Sequence, residues 1–466
     1  MSVIETDPVS VRPHPADTPS AAAAPVLLIV IFFLSLQPPI YFFIGTMRLS
    51  PDRLLMLILF IPMVLKFLGG QAGRFQASDV LLILFSIWLT ITFVYHHGLE
   101  RLNYSIISVV EILGAYLTGR ILVRSEVAYR TFMKIFLLVM LCLLPIGLVE
   151  LFTNQNILQQ TFGQFFPHYV KGKTSYGRMG MERVMAGFAH PILFGLFCSM
   201  AFASAAAVFG KGAFRWLAIA LFVVGMTFMS LSSGPLIAIA VQLVLLLWGR
   251  VTGDKWWLFA SLFWSAYIAV DLLSNRTPIT IMINYITFNP VTAWTRVNIY
   301  TFGIREVWAS PIFGIGLNDW ARPSWLTGSV DNFWLLNAMR HGVPGFLFMF
   351  GAMITVCWAI CKADIPSVEL RRWRTGYVIT LIGLLVTLCT VHIWSEVAVF
   401  VFFFLGAGMW FTEAATRSAG GAAPPPDDPA PPPGQVRASP AQKGRSVGRD
   451  KPRYARAGAG PHPSRS

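Results

Sequence analysis

The sequence predicts an all-α protein, a bundle of about twelve membrane-spanning helices with a large helical loop on one face. Of its 466 residues, 55% are hydrophobic and only 12% are charged, and the mean hydropathy is +0.62. A typical soluble domain carries about twice that share of charged residues. In addition, apolar runs long enough for a bilayer core recur along the chain, with lysines and arginines between them.

Each apolar run predicts one helix. The runs are Ala24 to Thr46, Leu54 to Leu68, Val80 to Tyr95, Ser105 to Leu122, Phe132 to Phe152, Val184 to Phe209, Trp216 to Leu231, Leu236 to Trp248, Trp257 to Leu273, Val343 to Cys361, Gly376 to His392 and Val397 to Phe411. The first run is too long for a cleaved signal peptide, so we treat it as a retained span. Pro38 and Pro39 are expected to kink it.

Basic residues in four short connections predict the orientation, because such residues stay on the cytoplasmic side. They are Arg120, Arg124 and Arg130, then Lys211 and Arg215, then Arg250 and Lys255, and finally Lys362, Arg371, Arg372 and Arg374. All four connections share one side. Residues 1–23 and the Pro- and Ala-rich residues 415–466 offer little to pack and are expected to be disordered. Both termini are therefore predicted to be cytoplasmic, on either side of a transmembrane domain at 24–414.

The two longest connections, residues 153–183 and 274–342, are predicted on the opposite face but still carry basic residues. Among these are Arg178, Arg183, Arg296 and Arg322. The planar fork of arginine matches phosphate oxygens, so the group predicts an anionic ligand such as a lipid pyrophosphate. Any single arginine has another explanation, as an interfacial anchor or as the partner of an acid such as Glu306.

Four short motifs follow one another between about residues 180 and 350. They are RVMAGFAHPILFG from Arg183, LSSGP from Leu231, SPIFGIGL from Ser310 after a helix that Arg296 is expected to open, and DNFWL from Asp331, which leads to GVPG from Gly342. In this order the motifs resemble those of the O-antigen ligase and polysaccharide polymerase superfamily. Members of that superfamily are integral membrane glycosyltransferases that use polyprenyl-pyrophosphate-linked glycans as donors.

The resemblance implies a GT-C-like fold with its site on the periplasmic face of a bacterial inner membrane. Arg183 and Arg296 would bind the pyrophosphate of the donor. Asp331 stands where the family has its catalytic histidine, which leaves the identity of the base open and makes Asp331 the first candidate. The implied partners are lipid-linked donor and acceptor oligosaccharides, the bilayer and a chain-length regulator, with no cofactor and no nucleic acid.

This chemistry is also consistent with the residue types. Arginine stays charged and can stabilise a pyrophosphate leaving group, while an aspartate, with a reference pKa of about 3.9, is ionised at neutral pH and can accept a proton. No Asp-x-Asp or histidine cluster predicts a metal site. An inverting single displacement is the simplest fit.

Further side chains near the motifs are candidates for substrate binding. These are Asn332, Arg178, Arg322, Tyr300, Trp334, Arg340 and His341. Each has a structural alternative, because a tryptophan also suits an interfacial belt and a histidine is often structural. Asp331 itself could cap a helix that starts at Asn332.

Helical spacing places Arg296, Tyr300, Gly303 and Val307 on one face, with Gly303 leaving room beside the arginine. Three further polar residues also need a role, namely His190, His392 and Glu396. His190 precedes Pro191 and is expected to contact a helix N-terminus. His392 and Glu396 are expected to pair, and Glu396 is a second candidate for the base.

Three functions remain open at this point. The first is a polymerase that joins lipid-linked repeat units into a surface polysaccharide. The second is a ligase that transfers the finished glycan to lipid A core. The third is a transporter of the same lipid-linked glycans, which would place charged groups inside the spans. The spans contain few ionisable residues, which favours the enzymes.

Overall fold

The computed structural model describes residues 19–45, 47–167, 178, 180–274, 281 and 290–414. Three further basic residues of the two long connections, Lys171, Lys173 and Arg276, lie outside the described residues. The tail at 415–466 and most of the segment at 1–23 also lie outside them. The described part is mostly helical and contains almost no strand. Its α-helices are α1 Pro19–Ser35, α2 Pro51–Leu68, α3 Ala77–His97, α4 Leu102–Val109, α5 Ala115–Leu122, α6 Glu126–Thr153, α7 Ile157–Phe162, α8 Pro191–Ser199, α9 Phe202–Phe209, α10 Ala213–Phe228, α11 Ser233–Thr252, α12 Trp256–Leu273, α13 Pro290–Ala309, α14 Phe333–Lys362, α15 Val368–Thr387 and α16 Ser395–Gly408.

Eight stretches of the described chain are long and apolar enough to cross a membrane. They are Ala77–His97, Leu99–Leu122, Glu126–Thr153, Pro191–Phe209, Ser233–Thr252, Trp256–Leu273, Phe333–Lys362 and Ser395–Ala414. The fold is thus an all-α bundle of membrane type. The other four predicted runs fall on helices that are shorter or more charged. For example, α10 has 16 residues and spans about 24 Å, less than the ~30 Å of a hydrocarbon core.

The first predicted span is wrong at its C-terminal end. α1 stops at Ser35, and Phe42–Ile44 then pairs antiparallel with Met47–Leu49 in a short β-hairpin. Pro38 and Pro39 end the helix rather than kink it, because a proline supplies no backbone donor and disfavours helical geometry in the residue before it. The continuous apolar run from Ala24 to Thr46 does not predict this hairpin.

The centre of the bundle is packed by aromatic rings and by close helix contacts. Phe33, Phe136, Phe197 and Phe400 from four helices contact one another with ring centroids 4.7–6.4 Å apart. α5 and α16 approach so closely that a Cβ on Gly119 would overlap the backbone of α16. Such contacts give a membrane bundle its packing, since lipid provides no hydrophobic drive between helices.

The predicted cytoplasmic connections gather at one end of the bundle. Arg124, between α5 and α6, pairs with Glu413 beyond α16 at 2.6 Å. Lys211, between α9 and α10, pairs with Glu369 in the first turn of α15 at 3.0 Å. The irregular segment before α14 and the segment before α8 lie at the other end. The basic loops and the polar motifs are therefore separated by the length of the helices.

A backbone break in α14 fixes the loop that follows α13. At Gly342 the φ angle is +67°, so the helix is interrupted after His341. Two loop amides bond to the exposed helix carbonyls, with Ile315 N donating to Met339 O at 2.8 Å and Gly316 N to Arg340 O at 3.0 Å. Across the break, Val343 N donates to Pro311 O at 2.7 Å. The SPIFGIGL and GVPG motifs thus form one structural unit.

The change Gly342→Ala is expected to destabilise the protein by at least 1–3 kcal/mol, because a positive φ strains any residue with a Cβ. The added Cβ would also overlap the carbonyl oxygen of Ile312. Gly225→Ala is the matched control, since nothing lies within 4 Å of its Cβ in mid-helix. Thermal unfolding in detergent should show a lower midpoint for Gly342→Ala and an unchanged or higher one for the control. Equal midpoints would contradict the structural role of the break.

Candidate functional site

Helices α13 and α14 pack together and support the irregular loop between them. Gly303 faces α14, and a Cβ there would lie 2.7 Å from Leu335 Cδ2 and 3.1 Å from Met339 Sδ. The predicted helix face is confirmed, since Arg296, Gly303 and Val307 are buried on it and Tyr300 is half-buried. The expectation that Gly303 leaves room beside Arg296 is wrong, because the room is filled by α14. The helix also begins six residues before Arg296, at Pro290.

A small cavity lies where α13, the start of α14 and the turn after α15 meet. It is lined by Arg296, Ile299, Tyr300, Asp331, Asn332, Cys389 and Thr390. Four of the residues predicted from the sequence are therefore brought together here. The cavity holds about 10 Å³, roughly the space one water needs. A pyrophosphate could bind there only if the surrounding side chains move apart.

The charges at this cavity influence one another. Burial raises the pKa of the Asp331 carboxyl above its ordinary value, and Arg296 acts in the opposite direction. Burial lowers the pKa of the Arg296 guanidinium. The charge of Asp331 acts to raise this pKa, and the charge of Arg178 lowers it further. Arg178 therefore lies close enough to act on Arg296. The local charge is two arginines against one carboxylate, which favours an anion as ligand.

Asp331 lines a larger groove as well as the small cavity. The groove has a volume of about 440 Å³ and is lined by Ile315, Leu317, Asn318, Asp319, Trp320, Gly328, Ser329, Val330, Asp331, Leu336, Met339, Arg340, His392 and Trp394. Amides, carboxylates and an arginine can hydrogen-bond sugar hydroxyls, and a tryptophan face can pack on a sugar ring. Asp331 thus lies between an arginine-lined cavity and a groove suited to a glycan.

The histidine of this groove is uncharged. Burial, and then the positive charge of Arg340, lower the pKa of His392 to about 3. Its ring stacks on Phe333 at 6.2 Å and on Trp394 at 5.8 Å between centroids. The expected pair of His392 with Glu396 is not formed, because the Glu396 carboxylate accepts from Ala189 N at 2.8 Å. That bond ties Glu396 to the segment before α8, and Glu396 lines neither space.

Arg183 and Arg178 hold the LSSGP turn. Arg183 Nε donates to Ser230 O at 3.1 Å and its second terminal nitrogen to Ser232 Oγ at 2.7 Å. Arg178 donates to Leu231 O at 3.0 Å, at a residue with a positive φ of 45°. These contacts explain why the motif that begins at Arg183 and the LSSGP motif occur together in this sequence. Arg183 therefore does not line the cavity, and it acts on the ligand site by holding the turn.

His190 links this cluster to α8. Its Nδ1 accepts from Ile192 N at 3.2 Å, so it caps the helix as expected. Burial, followed by the charges of Arg183 and Arg178, lowers its pKa to about 4. Arg178 therefore acts on both His190 and Arg296. The three arginines Arg178, Arg183 and Arg296 form one electropositive region, which we call the arginine cluster.

The cap of α14 is Asn332, not Asp331. Asn332 Oδ1 accepts from Leu335 N at 2.9 Å, and the helix starts at Phe333. The capping explanation for Asp331 is therefore wrong by one residue, because the helix begins later than expected. Asn332 lines the cavity, and this bond fixes the position of its side chain there. The Asp331 side chain does not cap the helix.

Three other predicted residues lie away from the cavity. Trp334 is buried in the core, where its Nε1 donates to Leu385 O at 3.2 Å. His341 is buried against α3, with Nδ1 2.9 Å from Thr92 Oγ1. Arg322 pairs with Asp319 and donates to the carbonyls of Trp320 and Leu326, so it holds the loop together. Each of these side chains has a structural partner in place of a ligand.

Sequence reasoning missed the turn after α15. Cys389 and Thr390 line the cavity, and Trp394 lines the groove. Phe333 N donates to Leu388 O at 3.0 Å, which brings this turn against the start of α14. The only sequence signal was the pair of polar residues His392 and Glu396 between two apolar runs.

No known family model matches this chain, and no curated protein matches it either. The resemblance therefore rests on the four motifs and on their order. Among the described residues, no group of three or more His, Cys, Asp or Glu side chains could hold a metal ion. The groups that can carry chemistry at this site are the arginine cluster and Asp331, beside the two spaces that Asp331 lines.

Proposed function

We propose that this protein is a membrane glycosyltransferase of the O-antigen ligase and polysaccharide polymerase superfamily. It would join polyprenyl-pyrophosphate-linked oligosaccharide repeats into a surface polysaccharide at the periplasmic face of a bacterial inner membrane, with twelve spans and both termini cytoplasmic. The observation that carries the proposal is the position of Asp331. Its carboxylate lines a cavity with Arg296 on one side and a polar, aromatic groove on the other.

The two spaces suit the two substrates of such a transfer. Arg296 binds the pyrophosphate of the donor through paired hydrogen bonds, and the charges of Arg178 and Arg183 help it to stabilise the negative charge that grows on the leaving group. The groove with Trp320 and Trp394 holds the glycan of the acceptor. Asp331 lies where the donor carbon and the acceptor hydroxyl would meet.

The reaction is then a single displacement with inversion. The acceptor oxygen forms a bond to the anomeric carbon while the bond from that carbon to the phosphate oxygen breaks. The hydroxyl proton passes to Asp331, and the polyprenyl pyrophosphate leaves with both electrons of the broken bond. Asp331 is exposed to the solvent of the open groove, and the positive charge of Arg296 lies close enough to act on its carboxylate.

The test is the size distribution of lipid-linked and exported glycans in cells without the protein and in cells that carry Arg296→Ala. A polymerase predicts single repeat units that persist on the outer face in both strains. Long lipid-linked chains that stay unattached would assign a ligase, and repeats retained on the inner face would assign a transporter. An unchanged profile would remove a role in polysaccharide synthesis.

A further inference from the structure

A second polar groove lies at the same end of the bundle as the candidate site but shares no lining residue with it. Its volume is about 510 Å³, and its lining residues are Met47, Arg48, Arg53, Glu100, Arg101, Asn103, Tyr104, Ile107, Ser108 and Glu111. It lies at this end because α3 finishes at His97, whose Nε2 accepts from Leu317 N at 2.8 Å. We call it the hairpin groove, since the β-hairpin forms one wall.

The hairpin groove carries three arginines and two glutamates, so it has an excess of positive charge. One ion pair is internal, with Arg53 Nε 2.5 Å from Glu111 Oε1. A second bond from Arg53 to Arg48 O, at 3.1 Å, fixes the direction of that guanidinium. Glu111 belongs to a π-helical turn, Val110–Gly114, a distortion that is frequent at functional sites.

The other two arginines line the groove from two different segments of the chain. Arg48, on the second strand of the hairpin, lies over the Tyr41 ring at 3.7 Å from its centroid. Arg101 follows α3 and is exposed. Asn103, Tyr104 and Ser108 add neutral groups that can donate hydrogen bonds. Planar guanidinium groups together with hydroxyl and amide donors match the oxygens of a phosphate.

Exposed apolar side chains around the groove indicate that it lies against lipid. Phe43 and Ile44 of the hairpin are 61% and 59% exposed, and Leu99 beside Arg101 is 74% exposed. In a bundle with eight helices of membrane-spanning character, such residues at a helix end suit the boundary between hydrocarbon and headgroups. A phosphate at that depth belongs to a lipid.

We propose that the hairpin groove binds the phosphate headgroup of an anionic membrane lipid through Arg48, Arg53 and Arg101, with the hairpin residues Phe43 and Ile44 seated in the acyl region. The groove is separate from the catalytic proposal and does not depend on it. Bound lipid would stabilise the hairpin against the start of α4 without taking part in transfer.

The full chain in dodecyl maltoside tests this, by its thermal unfolding midpoint during titration with dioleoylphosphatidylglycerol. We expect the midpoint to rise with this lipid and much less with dioleoylphosphatidylcholine or inorganic pyrophosphate. Arg48→Gln with Arg101→Gln should weaken the apparent lipid affinity by about tenfold or more. Arg101→Gln alone, at an exposed position, should retain the fold and show part of that loss.

The matched control is Arg305→Gln with Arg250→Gln, which removes two exposed arginines outside the groove. The Arg305 guanidinium lies over the Phe302 ring, just as the Arg48 guanidinium lies over the Tyr41 ring. The control and the groove variant therefore remove chemically similar groups. The proposal would be overturned if the groove variants showed the full rise in unfolding midpoint with the lipid, or if the control variant lost as much lipid affinity as they do. It would also be overturned if pyrophosphate raised the midpoint as much as the lipid does. Arg296→Lys should keep the lipid response, which separates this result from the test of transfer.

Discussion

Arg296→Lys is expected to lower the rate of glycan transfer by about 100-fold, although it preserves the positive charge. The Arg296 side chain is buried on α13 and lines the cavity beside Asp331. A guanidinium can hold two oxygens of a leaving pyrophosphate in one plane, whereas an ammonium group acts as a point charge and binds them without that geometry. The loss should be in the turnover rate, because the contact strengthens as charge develops on the leaving group.

The measurement is chain elongation by purified protein in liposomes that contain lipid-linked repeat units, with product length followed over time. Arg305→Lys is the control, since it makes the same change on the same helix at an exposed residue outside both spaces. The control should elongate at the wild-type rate. Wild-type elongation by Arg296→Lys would contradict the proposed contact with the pyrophosphate.

The arrangement around α13 was predictable because it depends on helical periodicity. The spacing of Arg296, Gly303 and Val307 fixes one face of any helix, so their common burial follows from the sequence. The loop that joins α13 to α14 was predictable as irregular backbone, since its glycines and prolines oppose a helix. Local rules were sufficient in both cases.

Other features depend on contacts between distant segments, and the sequence could not supply them. Trp334 looks like a sugar platform beside Asp331, but the packing of α14 against α15 turns it into the core, where it bonds to Leu385. Thr390 joins the cavity only because the turn after α15 meets the start of α14. Such pairings carry no local pattern.

The role of Asp331 depended on a single residue of register. A helix that started at Asn332 would make Asp331 its cap, whereas the start at Phe333 gives that role to Asn332. Sequence patterns locate helix ends only to within a few residues. A side chain one position from a boundary therefore changes role when the boundary moves, and only the backbone geometry decides.

Asp331→Asn is expected to reduce transfer by 10²–10⁴-fold, roughly the contribution of a general base. The amide is nearly isosteric with the carboxylate, and Asn332 still caps α14, so the fold should persist. Asn332→Ala gives the complementary control, since loss of the cap should cost about 1 kcal/mol of stability. If Asp331→Asn turned over at the wild-type rate, Asp331 would have no role as base.

The pH profile separates the loss of a base from the loss of structure. Only ionised Asp331 accepts a proton, and burial raises its pKa above the ordinary 3.8, so activity should fall as the pH drops through that raised value. A group whose pKa is higher in the folded than in the unfolded chain favours folding at low pH and loses that contribution as the pH rises through the folded value. Through Asp331, acid therefore inactivates the protein without unfolding it. The wild type should lose activity in acid while protonation of Asp331 raises, and does not lower, its unfolding midpoint, and the residual activity of Asp331→Asn should lack the same inflection.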